Sequence, residues 1–518
     1  MNVPTWLKPE NGAVGSALGT WLDFAPSGIA TRFFLLWFVI LYTAFQVLSF
    51  ASLGLHPDML EAFAWGLHPA AGYGNHPPLY ALMAGVWFSV FPPTDWSFHL
   101  LAIANAALGL FATDLIARRY LDGDNRIAVL LLLLLTPFYQ FYADRFATYQ
   151  VLLSTWPLAT YCFLRAFETR KLVWSAAAGA AAALAVLGNY YSIVLVAGFV
   201  AVVLAFPGRW TYLRSPSPWI ALLVDALALA PHVQWLRTNG FAPLADATGP
   251  HAPLGDVLAK DANYIVGSIG YVSVLLAVWW LAVRPSLQTL RETLWPPDLT
   301  GRMLVVLLAV PLLLPAIIAP FIGVVLTPLW TMPGWFLLPI VLLRPQAAKL
   351  TRVATIRITA LVILITLAAL IAAPFLASYY NGTGTKESRE YYRPVGAEVT
   401  NAWHLAAGTP LAIVMGDPDL VSATTFYSPD HPDSVANFDL TATPWVTPDR
   451  LRRDGFATMC KADDQTCVDA ARRDAAGKAT AQFITFATIN RYRGKAGKLG
   501  RFLFVLVPPE GTPRVLIR

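Results

Sequence analysis

Pro77-Pro78-Leu79-Tyr80-Ala81-Leu82-Met83-Ala84-Gly85-Val86-Trp87-Phe88-Ser89-Val90-Phe91-Pro92-Pro93 is the stretch on which the topology turns. Its apolar part, Leu79 to Phe91, stands between two proline pairs and is 13 residues long. A helix needs about 20 apolar residues to cross a bilayer, so this segment reads as re-entrant or interfacial. Outward from it, spans are expected at 31–53, 98–117, 127–143, 148–166, 172–188, 190–206, 217–235, 263–283, 303–320, 324–343 and 354–376. With Leu79–Phe91 not crossing and the N-terminus cytoplasmic, the basic residues gather on one side. They are Arg118, Arg119 and Arg126; Arg165, Arg170 and Lys171; Arg209 and Arg214; Arg284, Arg291 and Arg302; and Arg344, Lys349 and Arg352. The short turns expected opposite, near Asn189-Tyr190 and Pro320-Phe321, carry none. Counting Leu79–Phe91 as a span would put most of these clusters outside, against the positive-inside bias. Eleven spans and one re-entrant helix follow, and an odd count sends the C-terminus to the outer face.

Composition agrees. The 518 residues are 56% hydrophobic and 13% charged, with mean hydropathy +0.54, whereas soluble domains carry roughly 25% charged residues. A net charge of +6 without a basic run interleaved with aromatics fits cytoplasmic loops rather than nucleic acid, and no nucleic-acid partner is expected. Residues Met1 to Ala30 do not read as a cleavable signal, because no apolar stretch there precedes a small-residue cleavage site. The reading is a polytopic α-helical protein of a bacterial inner membrane.

Residues 1–376 form the expected transmembrane domain and 377–518 a small extracytoplasmic α/β or α+β domain. Apolar β-rich runs Leu411–Met415, Phe483–Ala487 and Phe502–Val507 alternate there with a helical stretch over Val468–Lys478. Cys460 and Cys467 lie in this polar region, and their spacing fits no common zinc pattern. In an oxidising compartment they would form a short-loop disulfide. Cys162 lies within an apolar span and is expected to pack there.

The loop between the first two spans concentrates the polar chemistry. It runs His56-Pro57-Asp58-Met59-Leu60-Glu61-Ala62-Phe63-Ala64-Trp65, then through Gly72-Tyr73-Gly74 to Asn75-His76-Pro77-Pro78-Leu79-Tyr80. Pro57-Asp58 opens a short amphipathic helix, on which Asp58 and Glu61 share a face. Read locally, Asp58 is a helix-start residue after a proline, and His76 is a loop residue before two prolines.

The order of these features resembles the GT-C glycosyltransferases. Within that fold it is similar to the branch containing protein O-mannosyltransferases, the lipid A aminoarabinose transferase and the lipopolysaccharide galacturonosyltransferases. An acidic residue early in a juxtamembrane helix is followed by His76-Pro77-Pro78-Leu79-Tyr80 and a short apolar helix. Trp96, His99-Leu100-Leu101-Ala102, Ala117-Arg118-Arg119-Tyr120, Thr136-Pro137-Phe138, Gly188-Asn189-Tyr190-Tyr191-Ser192 and Pro231-His232 continue the pattern. The likeness covers about residues 30–240, and the remainder only in architecture.

The resemblance implies a polyprenyl-phosphate sugar donor, an envelope glycan or lipid acceptor such as lipopolysaccharide, and inverting transfer on the outer face. Asp58 would be the base for the acceptor, with Glu61 orienting Asp58 or the acceptor. His76 stands where relatives hold the donor phosphate, Arg145 is a second phosphate candidate, and Arg237 and Lys260 are weaker ones. Many relatives carry a second acid near the outer end of the fourth span; here the nearest polar group is Gln150. Asn189, followed by Tyr190, stands where a lysine is expected. No cofactor is called for, and without the second carboxylate a divalent metal is not supported.

Asp225 lies midway along an expected span, where an ionisable group is costly. It reads as a structural residue because the chemistry belongs nearer the surface. Competing readings are a transporter or flippase, an accessory protein of envelope glycan synthesis, and the same fold acting on another acceptor such as protein hydroxyls. Transporters typically show internal repeats and broken helices around polar mid-membrane sites; Asp225 is isolated and no repeat is visible.

Overall fold

The structure, a computed structural model, describes residues 13–241, 243–244, 251–478 and 480–509. It is a helical bundle capped at one end by a small mixed sheet. Six helices are long and apolar enough to cross a membrane: Ile29–Ser49, Asp95–Ala117, Pro216–Thr238, Leu254–Val283, Leu299–Ile322 and Arg352–Thr383. The other five expected spans are helical but do not meet that standard. Leu172–Gly188, Tyr190–Ala205 and Pro328–Leu343 are shorter, while Thr148–Thr169 has the length but carries Arg165 and Glu168 near its end. The segment 127–143 is interrupted: Gly123–Leu133 stops before Thr136-Pro137, and short turns Pro137–Gln140 and Tyr142–Asp144 follow. Proline lacks the N–H and fixes φ, so it ends or kinks a helix. Leu79–Phe88 is helical for only 10 residues, well below spanning length.

Helix faces that meet other helices are small or apolar, and those left exposed are large and apolar. Leu222, Leu223 and Leu227 on Pro216–Thr238 and Leu364, Ile371 and Phe375 on Arg352–Thr383 are exposed, as a lipid-facing surface requires. Glycine permits the closest crossings. A Cβ at Gly109 would strike the Leu153 carbonyl, and one at Gly179 the Ala221 carbonyl.

The end of the bundle far from the sheet is tied by ion pairs among the basic clusters. Arg352 pairs with Asp23 and Asp124, Arg344 with Asp298 and Arg119 with Glu168. Arg126 is not in a solvated loop as the charge pattern suggests. It is buried and grips Asp114 through two bonds of 2.7 and 2.6 Å, the fork geometry that offsets part of the cost of burying both charges.

The last long helix continues to Thr383, past the expected domain boundary at 376. Beyond it lie five strands: β1 (Ile413–Gly416), β2 (Asp433–Ala436), β3 (Phe456–Lys461), β4 (Gln482–Tyr492) and β5 (Lys495–Val507). They form one sheet in the order β2-β1-β3-β5-β4, with β1 parallel to β2 and β3 and the other pairs antiparallel. The expected strands and helix map to β1, β4, β5 and Gln465–Ala475, while β2 and β3 were not expected. Cys460 on β3 and Cys467 on that helix are joined in a disulfide, Cα–Cα 5.7 Å, and Cys162 is buried and unbonded.

The sheet domain is seated on the first loop. Asn490 donates to the Ser52 carbonyl (2.8 Å), Tyr427 accepts from the Leu55 N–H (2.8 Å) and donates to Asp95 (3.0 Å), and Arg393 pairs with Asp95.

Candidate active site

The helix Pro57–Gly66 forms because His56 caps it in an extended conformation, Pro57 supplies the fixed φ of the first turn, and Asp58 complements the N-terminal dipole. Its buried face holds Met59, Leu60 and Phe63. It meets Leu79–Phe88 through Gly66 and Gly85, where a Cβ on either residue would collide with the other helix's backbone. Phe63 stands edge-on to Phe88 (5.2 Å) and to Phe426 of the sheet domain (4.9 Å), so two other elements fix this helix.

His56 accepts the Asp58 N–H at its Nδ1 (3.3 Å). Burial, then the nearby Arg145 and Arg389 guanidiniums, push its pKa down to about 3. The ring is therefore neutral, and its 3.5 Å approach to the Asp58 carboxylate is a contact of two acceptors, not an ion pair. The Asp58 side chain is 43% exposed. Glu61 behaves differently: burial first, then the Asp58 charge, with Asp419 adding and Tyr80 opposing, push its pKa up to about 8. At neutral pH Glu61 therefore holds its proton. Two carboxylates one helical turn apart are thus set for different work, the pattern by which a site separates base from donor.

His76 is fixed by a tight turn. Tyr73 and His76 exchange backbone bonds of 3.1 and 2.7 Å, with Gly74 between them at φ +46°, a left-handed conformation that glycine adopts without penalty. Burial disfavours the charged ring and lowers the His76 pKa.

Two cavities meet at Asn75 and His76. One, of roughly 1180 Å³, is polar and aromatic, lined among others by Glu61, Trp65, His68, Trp235, Asp439 and Trp445. The other, roughly 630 Å³, is an apolar groove between helices, lined by Tyr149, Asn189, Tyr190, Ile193, Ile318 and Trp330 among others. Asn75 and His76 line both.

The structure distributes the remaining expected residues unevenly. Arg145 sits just before the helix Thr148–Thr169, whose first residues Thr148 and Tyr149 line the groove. Asn189 caps the turn that follows it, accepting from the Tyr191 N–H (2.9 Å) and donating to Thr148 (3.2 Å). The Tyr190 hydroxyl meets His232 (3.1 Å). Gln150 is buried and donates to the Tyr142 carbonyl (3.3 Å), while its own carbonyl accepts from Asn105 (2.7 Å); these are bracing bonds within the bundle. Arg237 and Lys260 are exposed and, like Asp58 and Arg145, line neither cavity. Asp225 is half-buried in Pro216–Thr238 and likewise lines neither cavity. No group of three or more His, Cys, Asp or Glu side chains among the described residues is placed to hold a metal ion.

Several residues enter the site without having been singled out. Arg389 follows the last span, donates to the Gly54 carbonyl (3.1 Å), accepts from the Gly54 N–H (2.9 Å) and lies over Phe50. Its place in a charged juxtamembrane run, Lys386 to Glu390, was a usable signal. Asp419, in the first turn of Pro418–Tyr427, is near enough to Asp58 and Glu61 to share their field; burial, then Asp417, push its pKa up to about 6. His68 binds Asp433 and stacks on Trp445 at 4.6 Å. For Asp419, His68 and Trp445 no local sequence signal exists, because each matters only through the docking of the sheet domain.

The sequence profile of the family described as dolichyl-phosphate-mannose-protein mannosyltransferase matches residues 75–235. The crystal structure of ArnT from Cupriavidus metallidurans in the apo state aligns with TM-score 0.56 and 12% identity, covering 92% of this chain and 99% of that one. The same protein bound to undecaprenyl phosphate aligns with TM-score 0.55 and 14% identity, over 93% and 99%. No curated protein matches by sequence. The chain has the GT-C fold.

Proposed function

We propose that this GT-C chain is a glycosyltransferase that moves a sugar from a polyprenyl-phosphate donor to an envelope acceptor, with inversion, on the outer face of a bacterial inner membrane. One observation carries the reading: an apolar groove and a polar cavity share Asn75 and His76 as wall residues, and Glu61, on the helix that also carries Asp58, lines the polar cavity. A lipid-linked sugar needs both environments, a greasy trough for the prenyl chain and a wet chamber for sugar and acceptor. The structural relative with undecaprenyl phosphate bound supports the same donor class here.

In this reading the acceptor oxygen attacks the anomeric carbon from the side of Asp58, which takes the acceptor proton. The bond from that carbon to the phosphate oxygen breaks, and the lipid phosphate leaves with the electron pair. Arg145 and Arg389, whose charges both reach His56, meet the charge that collects on the leaving phosphate, and His76 donates an N–H. Glu61, protonated, donates to the acceptor and holds it. Ion-paired basic clusters at the far end support an inside N-terminus and eleven crossings. The disulfide at the near end supports an oxidising, periplasmic sheet domain over residues 377–518.

The test is Asp58→Asn in full-length, membrane-inserted protein, read as sugar transfer to envelope glycans and lipids in cells lacking the wild-type chain. A loss of about 10²–10⁴-fold with normal insertion is expected. Undiminished transfer would sink the enzyme reading, and envelope glycans unaffected by loss of the whole chain would favour a transport or accessory role.

A further inference from the structure

The polar cavity has a chemistry that narrows the acceptor. Three indoles, Trp65, Trp235 and Trp445, stand around it, each only partly buried. Each is braced by another ring: Trp65 lies parallel to Tyr73 (5.2 Å), Trp235 to His232 (5.7 Å) and Trp445 to His68 (4.6 Å). Trp235 also packs directly on Gly72, where a Cβ would overlap the ring. Braced rings at a cavity wall are flat, rigid platforms, and they suit the C–H faces of pyranose rings as well as other apolar planes.

The charges separate the alternatives. Among the described residues, the ionisable groups on the wall are Glu61, Asp439, two histidines and a tyrosine, and no lysine or arginine lines it. Arg450, behind Trp445, is engaged with Asp433 (2.8 Å) and the Trp445 carbonyl (3.1 Å). An anionic acceptor entering here would meet two carboxyl groups and no cation, whereas phosphate sites are built from Arg, Lys or clustered N–H donors. Hydroxyls, by contrast, pair well with the side chains of Glu61, Asn75, Asn239 and Asp439, which accept or donate as a sugar requires.

We infer that this cavity is an acceptor subsite for an uncharged saccharide, and that the sugar is transferred to a ring or exocyclic hydroxyl of it rather than to a phosphate or a peptide side chain. The inference rests on the proposed transferase reading and specifies its acceptor. The new bond is a glycosidic C–O bond from the acceptor oxygen to the anomeric carbon; the bond to the lipid phosphate breaks, and the hydroxyl proton passes to Asp58.

The experiment compares envelope material from cells carrying the full chain, no chain, or the Asp58→Asn form. The transferred sugar is located by linkage analysis, with phosphorus NMR of the same fraction. Attachment to a saccharide hydroxyl with unchanged phosphorus signals is the expected result. A glycosyl phosphodiester signal, or sugar on serine or threonine of a protein, overturns this inference and leaves the transferase reading standing. No difference among the three strains overturns both. With the acceptor fraction in hand, Trp445→Ala is expected to raise its KM about tenfold, roughly what one lost aromatic platform gives, while leaving the donor KM unchanged. Should Trp445→Ala fail to insert, Asn239→Ala at the exposed end of its helix serves for the same measurement. Unaltered acceptor KM in a properly inserted variant overturns the subsite.

Discussion

Tyr190 and His232 hold one another across two helices, ring against ring at 5.7 Å and hydroxyl to Nε2 at 3.1 Å. The other nitrogen, Nδ1, lies 2.6 Å from the Ala71 carbonyl, which can only accept, so Nδ1 carries the hydrogen and, in the neutral ring, Nε2 accepts from Tyr190. Tyr190 lines the groove, and Ala70 and Gly72, on either side of Ala71, line the cavity. One imidazole therefore ties the proposed lipid side of the site to the proposed acceptor side.

Replacing His232 by alanine is expected to leave two part-buried partners unsatisfied, at a cost of about 1 kcal/mol. The chain should still insert, with donor and acceptor KM both raised, and His232→Gln should recover part of the loss. Steady-state kinetics on the three forms checks this; a change in kcat alone would contradict a tethering role.

Glu61 makes stability pH-dependent. Its pKa rises from 4.5 in the unfolded chain to about 8 in the folded one, so the folded state keeps a proton that the unfolded state releases. Above 4.5 the unfolded chain is favoured progressively, and stability falls as pH rises to about 8, by at most about 1.4 kcal/mol per pH unit. Glu61→Gln removes the proton release and should flatten this slope, seen as a melting temperature that gains on wild type between pH 5 and 8. Parallel melting curves for the two forms would refute the assignment.

Arg145→Ala is expected to weaken donor use by about tenfold to a hundredfold in kcat/KM, the scale of a lost charge-assisted contact. Arg145→Lys should restore part of it. The variant also removes a charge that depresses the His56 pKa, so any shift of the acidic limb of the pH–rate profile should be towards higher pH. Donor titration at several pH values measures both.

Cys460 and Cys467 close a short loop between β3 and the following helix. Changing both to serine should cost about 2–3 kcal/mol, the size expected for so small a loop, and appear as a lower melting temperature of the sheet domain. In wild-type cells a thiol-reactive polymer should label them only after reduction. Labelling without reduction would place the domain in a reducing compartment and reverse the proposed orientation.

Much of this architecture is legible in the chain because bilayer length is a one-dimensional constraint. Leu79–Phe91, bounded by proline pairs, is too short to cross, and its first 10 residues, Leu79–Phe88, are the helix. The interrupted segment 127–143 reads as a continuous span by hydropathy, yet Thr136-Pro137 breaks it, since apolarity and helical continuity are separate properties. β1, β4 and β5 follow from apolar β-rich runs, but β3, Phe456–Lys461, has no regular alternation of apolar and polar residues, and β2 is four residues with one fully buried position. Such strands exist because neighbours pair with them, not because of their own pattern.

The sequence by itself determined the membrane character, the one-sided basic clusters, the short helix after the first loop, the cysteine pair, and Asp58 with Glu61 on one helical face. These depend on length, period and spacing, which a linear chain records. Only the tertiary structure decided that Glu61 lines the polar cavity while Asp58 does not, that Gln150 braces the bundle, and that Arg237 and Lys260 stand outside both cavities. It also brought Arg389, Asp419 and Trp445 to the first loop, and gave His68 of that loop its partner Asp433. Burial and electrostatic field are properties of three-dimensional neighbours, and those four residues lie more than 300 positions from the loop or gain their partners only from across that gap.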